Sequence, residues 1–258
     1  VEAFREVGNL VETTTTAYRE KEQRYRNSRH NPNWWRDYTA CNLWTAAFFM
    51  PLTEQNLQLL PTTAVLQRLL AGEEKGLKDV IEAAEKLAEE KRFFHWELEF
   101  PEVFEEGGFD CILGNPPWER IKLQEKEFFA SRDSEIAKAK NSAARKKLIQ
   151  KLPETNPILA EEWEQAKHFS DAQTKFIRES GRYPLTATGD VNTYAVFAET
   201  DRNLVGNQGR AGIIVPTGIA TDDTCKKFFG DLIKTQNLVS LYDFENKIKI
   251  FPNVDSHM

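Results

Sequence analysis

Two consecutive prolines, Pro116 and Pro117, close off the apolar run Phe109-Asp110-Cys111-Ile112-Leu113. Each proline fixes its φ and removes a backbone N–H, so the chain beyond Leu113 continues neither as an inner strand nor as a helix. The run is short, nearly continuous and preceded by Gly107-Gly108, which predicts a strand covered on both faces, as in a parallel sheet. Asn115 and Trp118 flank the prolines. A buried strand must therefore deliver an amide, two stiff residues and an indole to one turn.

The rest of the chain tells which fold that strand joins. Up to about residue 92 the spacing is helical. Leu77, Val80, Ile81, Ala84, Leu87 and Ala88 recur every three or four positions, as do Tyr38, Cys41, Trp44, Ala47 and Phe48 before Pro51. Leu60-Pro61-Thr62-Thr63 opens a short helix that ends at Gly72, and a further helix is expected over much of 1–27, weakened by the threonine run 13–16. Asn31-Pro32-Asn33-Trp34 reads as a helix-start turn. Beyond residue 92, Phe94, Trp96, Leu98 and Phe100 alternate with polar residues and predict a half-buried extended segment, with Trp96 and Phe100 in the core. A polar helical stretch over about 124–180 precedes a helix at 191–205, an apolar strand at 210–216, a helix at 222–236 and a third strand at 238–245. Strands alternating with helices indicate an α/β fold. The expected organisation is a mainly helical region 1–92, then an α/β domain 93–258 with a helical insertion at about 124–180.

Composition excludes several classes. Forty per cent hydrophobic and 29% charged residues describe a globular chain without a membrane-length apolar run. Three dispersed cysteines, with no C-x-x-C spacing, predict reduced core thiols and neither a disulfide framework nor a zinc site. The four histidines form no ligand pair, so no metal is expected. A net charge of −6 disfavours a dedicated nucleic-acid module. Local charge departs from that average: residues 138–151, KAKNSAARKKLIQK, carry six cations and no acid, and residues 19–36 interleave arginines with Tyr25, Trp34 and Trp35. A solvated helix face and a surface turned toward DNA both fit such runs.

In open parallel sheets, ligands sit beyond the carboxyl ends of strands. At that place Asn115 and Pro116 supply acceptors, the amide oxygen and a carbonyl, while the prolines supply no donors. An amino group with two hydrogens donates one to each, and Trp118 offers a face to the planar ring that carries it. Two neutral acceptors draw those hydrogens out of conjugation and stabilise the positive charge that develops as a methyl donor approaches, without metal or strong base.

The loop resembles the catalytic motif of the amino methyltransferases. Asn-Pro-Pro followed by an aromatic is the form seen in adenine-specific DNA methylases. The longer stretch FFHWELEFPEVFEEGGFDCILGNPPWERIKLQEKEFF, residues 93–129, is similar to the matching part of the large restriction–modification and phage-defence adenine methylases. The resemblance implies a partial Rossmann-like methyltransferase sheet with helices on both faces. It assigns catalysis to Asn115, Pro116, Pro117 and Trp118, and stacking of the substrate base to Trp118 and Phe251, the latter within FENKIKIFPNVDS. It implies S-adenosylmethionine as cofactor and double-stranded DNA as partner alongside other subunits or domains of such a system, while the cysteines and the lack of a membrane-length run predict a cytoplasmic location and no membrane. The family's glycine-rich cofactor turn has no counterpart between Val1 and Phe93, so that motif is expected upstream of Val1, and the chain reads as a central piece, inactive alone. Two alternatives stay open: methylation of a protein glutamine amide by the same loop, and a non-catalytic interaction module.

Overall fold

The computed structural model describes residues 1–247 and 249. Its elements run α1 Glu2–Gly8, α2 Thr15–Ser28, α3 Pro32–Phe49, α4 Thr63–Leu70, α5 Lys78–Lys91, α6 Trp96–Glu99 and α7 Pro101–Glu105. Strand β1 Phe109–Gly114 follows, then α8 Glu125–Ala130, α9 Ser134–Ala137, α10 Ser142–Thr155 and α11 Pro157–Glu179. The chain continues through α12 Thr193–Leu204, β2 Val205–Ile213, α13 Gly218–Thr221 and α14 Lys226–Lys234. They divide into two units: 1–108 with 123–176, and 109–122 with 177–258.

The first unit is helical. Ala40, Leu43 and Ala46 of α3 meet Leu69 of α4 and Leu77, Val80, Ile81 and Ala84 around α5. This is the three-and-four spacing of the sequence turned into a shared apolar stripe. Asn31 caps α3, its side-chain oxygen accepting from the amides of Asn33 and Trp34, with Pro32 in the first turn. The predicted N-terminal helix is interrupted at 9–14, and Thr14, from the threonine run, restarts it by accepting from the Ala17 amide. Helices α8 to α11 build a second cluster from Phe129, Ile136, Leu152, Leu159 and Trp163.

The segment expected to be extended at 94–100 is instead the short helix α6. Positions 96 and 100 are one helical turn apart as well as in phase on a strand, and their rings stack at 5.9 Å. The deciding residue is His95, from the polar phase of the alternation. It is 6% exposed and its Nε2 lies 2.8 Å from the Asn42 side-chain oxygen.

The second unit holds a parallel pair, β1 with β2, in the register Cys111 opposite Arg210, Ile112 opposite Ala211, Leu113 opposite Gly212 and Gly114 opposite Ile213. The register breaks between Phe109 and Cys111. Gly209 sits at that break, where a Cβ would stand 2.5 Å from the Phe109 carbonyl oxygen and 2.9 Å from that of Asp110. Only glycine permits that approach. Strand β2 starts at Val205, directly after α12, earlier than the apolar run alone indicates.

Two expectations about the sheet fail. β1 is not covered on both faces: Leu113 is 79% exposed, and Cys111 is exposed too. The third strand, at 238–245, does not form; this segment has no ladder partner among the described residues, and Val239, Leu241, Tyr242 and Phe244 are exposed. An apolar run becomes a strand only against a neighbour that takes up its N–H and C=O groups.

One side of the pair is built up by α12, α13 and α14, where Tyr194, Ala195, Ala198, Ile219, Cys225 and Phe228 form the core of this unit. At its edge Glu199, 1% exposed, binds the loop before α12. Its carboxylate accepts from the amides of Leu185 (3.1 Å) and Thr186 (2.9 Å) and from the Thr186 hydroxyl (2.5 Å). Glu199→Ala leaves those donors buried without an acceptor. We expect a loss of about 3 kcal/mol in the unfolding free energy of this unit, measured by urea titration. A loss below about 1 kcal/mol would show that water takes over the carboxylate's part.

Candidate active site

The loop 115–118 leaves the carboxyl end of β1 with no N–H to give at positions 116 and 117, so neighbouring segments hold it. One residue fastens both ends. The Ile214 amide donates to the Gly114 carbonyl (3.0 Å), and the Ile214 carbonyl accepts from the Trp118 indole N–H (3.3 Å). Thr193, first residue of α12, fastens the middle and the exit. Its hydroxyl donates toward the carbonyls of Pro117 (2.6 Å) and Glu119 (3.1 Å) and accepts from the Glu119 amide (2.9 Å), while its own amide donates to the Glu119 carbonyl (2.9 Å). A backbone bond from the Ile121 amide to the Val191 carbonyl (3.0 Å) and an antiparallel bridge between Arg120 and Asn192 complete the seam.

This seam leaves a particular remainder. Among the described residues, neither the Asn115 side chain nor the Pro116 carbonyl is engaged in a hydrogen bond. Asn115 is exposed, Pro116 buried, Pro117 exposed and Trp118 half-buried. The Trp118 ring packs against the core of α12 to α14, which fixes its plane. The four sequence-predicted residues thus lie together at the strand end. Phe251 lies outside the described residues.

Beneath the loop, the Tyr194 hydroxyl lies 3.4 Å from an Asp222 carboxylate oxygen and 3.9 Å from the Cys225 sulfur. Burial, with Cys225 and Asp222 adding to it, raises the Tyr194 hydroxyl well above the ordinary phenol range. Burial also pushes the Cys225 thiol up. Neither group is poised to act as a base. Gly218 belongs to the same packing: a Cβ there would meet the Asp222 carboxylate at 2.6 Å and the Tyr194 hydroxyl at 2.8 Å. The turn after β2 is therefore filled by the chain's own side chains. Among the described residues no group of histidine, cysteine or acidic side chains is arranged for a metal, and no helix is long and apolar enough to cross a membrane.

Sequence reasoning missed Thr193 and Ile214. Thr193 carries only an ordinary helix-start signal, and Ile214 acts through its main chain.

Residues 37–152 match the family model described as Eco57I restriction-modification methylase. Over this segment, less than half of the chain, the protein is similar to the restriction-modification methylases. Comparison with curated proteins and with solved structures gives no match. The matched segment runs from α3 to α10 and contains the whole Asn115–Trp118 loop, whereas Thr193 and Ile214, which hold that loop, lie beyond it.

Two measurements probe this arrangement. Thr193→Val keeps the shape and removes the hydroxyl, so exchange of the Glu119 amide hydrogen should accelerate about tenfold, corresponding to one lost hydrogen bond of roughly 1.4 kcal/mol. An unchanged rate would mean that the loop holds itself. The raised thiol and phenol have a pH consequence. The unfolded chain releases these protons first, so their contribution to stability is complete below about pH 8.5 and is lost as pH rises toward the folded-state values. Denaturation midpoints of the second unit should fall between pH 8 and pH 10, and Cys225→Ala should flatten that fall.

Proposed function

We propose that this methylase transfers a methyl group from S-adenosylmethionine to the exocyclic amino nitrogen of adenine in double-stranded DNA. The observation that carries the reading is the unengaged pair at the end of β1, the Asn115 side chain and the Pro116 carbonyl, in a loop that Thr193 holds at the Pro117 carbonyl and Ile214 at the Trp118 indole. Two acceptors beside a fixed indole suit a planar ring that bears an –NH₂ group.

In this reading Asn115 and Pro116 each accept one amino hydrogen and stabilise the positive charge that grows on nitrogen. Pro117 keeps the carbonyl of Pro116 in place by fixing the backbone, and Trp118 stacks on the base through the ring face turned away from the core. An adenine within a duplex reaches this loop only after rotating out of the stack, at a cost of a few kcal/mol that stacking at about 1–3 kcal/mol per base offsets. Phe251 is proposed as the second stacking residue. A Rossmann-like organisation of the complete catalytic domain belongs to the same reading, as do a cytoplasmic location, consistent with the free thiols, and partner subunits of a restriction system.

The cofactor fits less well. Among the described residues no glycine-rich turn follows either strand; the turn after β1 is the Pro-Pro loop, and that after β2 is filled by Asp222 and Tyr194. The residues present accept the methyl-receiving base and do not supply a cradle for the donor.

In the complete protein, Asn115→Ala should reduce turnover by roughly 100- to 1000-fold, as for removal of one preorganised hydrogen-bonding group. Affinity for duplex DNA should change little, since phosphate contacts dominate it. The assay is transfer of labelled methyl to an adenine-containing duplex, with a glutamine-containing peptide as competing acceptor. Near-normal turnover in the variant removes Asn115 from the mechanism, and labelling of the peptide in place of the duplex overturns the adenine reading.

A further inference from the structure

Helices α9 and α10 form an open cleft of about 650 Å³ whose lining includes Lys138, Lys140, Lys147 and Lys151 together with one acid, Glu135. All four lysines are exposed, and among the described residues none of their ammonium groups forms an ion pair or hydrogen bond. Nearby cations of the same helical unit behave differently: Arg132 pairs with Glu162, Arg145 with Glu125 and Lys167 with Glu164. Between Glu135 and Glu154 the chain carries no acid, in a protein whose net charge is −6.

Local helix formation does not explain the cluster. Lys147 and Lys151 stand one turn apart on α10, and like charges at that spacing oppose the helix. Lys140 precedes the Asn141 cap of α10, so a cation also stands at the end of that helix where its dipole disfavours it. The arrangement costs stability unless an anion neutralises it. A concave, one-sign surface raises the local concentration of polyanions, and lysine suits phosphate as a mobile point charge.

We propose that this cleft is a phosphate-backbone contact of duplex DNA, independent of the loop at Asn115. The choice of DNA over another polyanion rests on the methylase reading above. The positive cluster itself does not. A lysine-lined surface without aromatic residues takes hold of the backbone irrespective of sequence. It gives the protein a grip on the duplex that is separate from the base it acts on.

The test uses fluorescence anisotropy of the full chain with a labelled duplex lacking adenine in the central base pairs, so that binding is read apart from methyl transfer. Lys138, Lys140, Lys147 and Lys151 are changed together to Gln. A control variant changes the exposed Lys75, Lys78, Lys86 and Lys167 to Gln and loses the same charge. The cleft variant should lose roughly 30-fold or more in affinity, and the slope of log affinity against log salt should fall by about 3 to 4, near 0.9 for each lost phosphate contact. The control should change less than about threefold, and Arg at the four cleft positions should keep most of the affinity. Equal losses in the cleft and control variants would overturn the proposal, leaving only a net-charge effect. Tighter, lysine-dependent binding of poly-glutamate than of duplex would overturn it in favour of an acidic protein partner. Lysine-dependent duplex binding without adenine methylation would uphold it and count against the adenine reading alone.

Discussion

Two prolines in succession take two donors out of a turn, and the second unit is organised around that deficit. The loop cannot satisfy itself, so it borrows: a main-chain bond from Ile214 at its start, an indole bond to Ile214 at its end, and the Thr193 hydroxyl between. Each lender is placed by a larger element. Ile214 follows β2 in register with β1, and Thr193 opens the helix whose buried face carries Tyr194, Ala195 and Ala198. Parallel pairing and helix packing thus converge on four residues. What they leave unsatisfied is as informative as what they bond, because a rigid loop with spare acceptors is preorganised for a donor from outside.

The helices were legible because their apolar spacing is long and regular. The stripe through Leu77, Val80, Ile81 and Ala84 admits one period only, and Asn31-Pro32 states where α3 begins. The loop was legible because proline has few uses. Short apolar runs were not. Phe94–Phe100 satisfies both a two-residue and a four-residue rhythm, and the burial of His95 against Asn42, a partner 53 positions away, is what settles it. Residues 238–245 have strand composition, but composition does not supply a neighbour. At the site, Asn115 and Trp118 announce themselves by type. Thr193 looks like any helix-start threonine.

Glu199 shows the same limit from the side of charge. A glutamate in the middle of an amphipathic helix reads as solvent-facing, yet this one is buried and serves as the acceptor for two amides and a hydroxyl of the preceding loop. A buried carboxylate is tolerated where it replaces the water those donors would otherwise need. That loop runs directly into Val191-Asn192-Thr193, the strip that is stitched to residues 119–121. An acid outside the loop therefore helps decide where residues 115–118 stand.

Ile214 makes both of its bonds with its main chain, and its side chain is 63% exposed. Evolution can therefore exchange that side chain almost freely while the coupling between the strand end and the indole persists. Proline is the exception, because it alone would delete the donor. A search for functional positions by residue identity would pass over 214 as ordinary exposed surface. The position is held by geometry, and it leaves no signature in the alphabet in which sequences are compared.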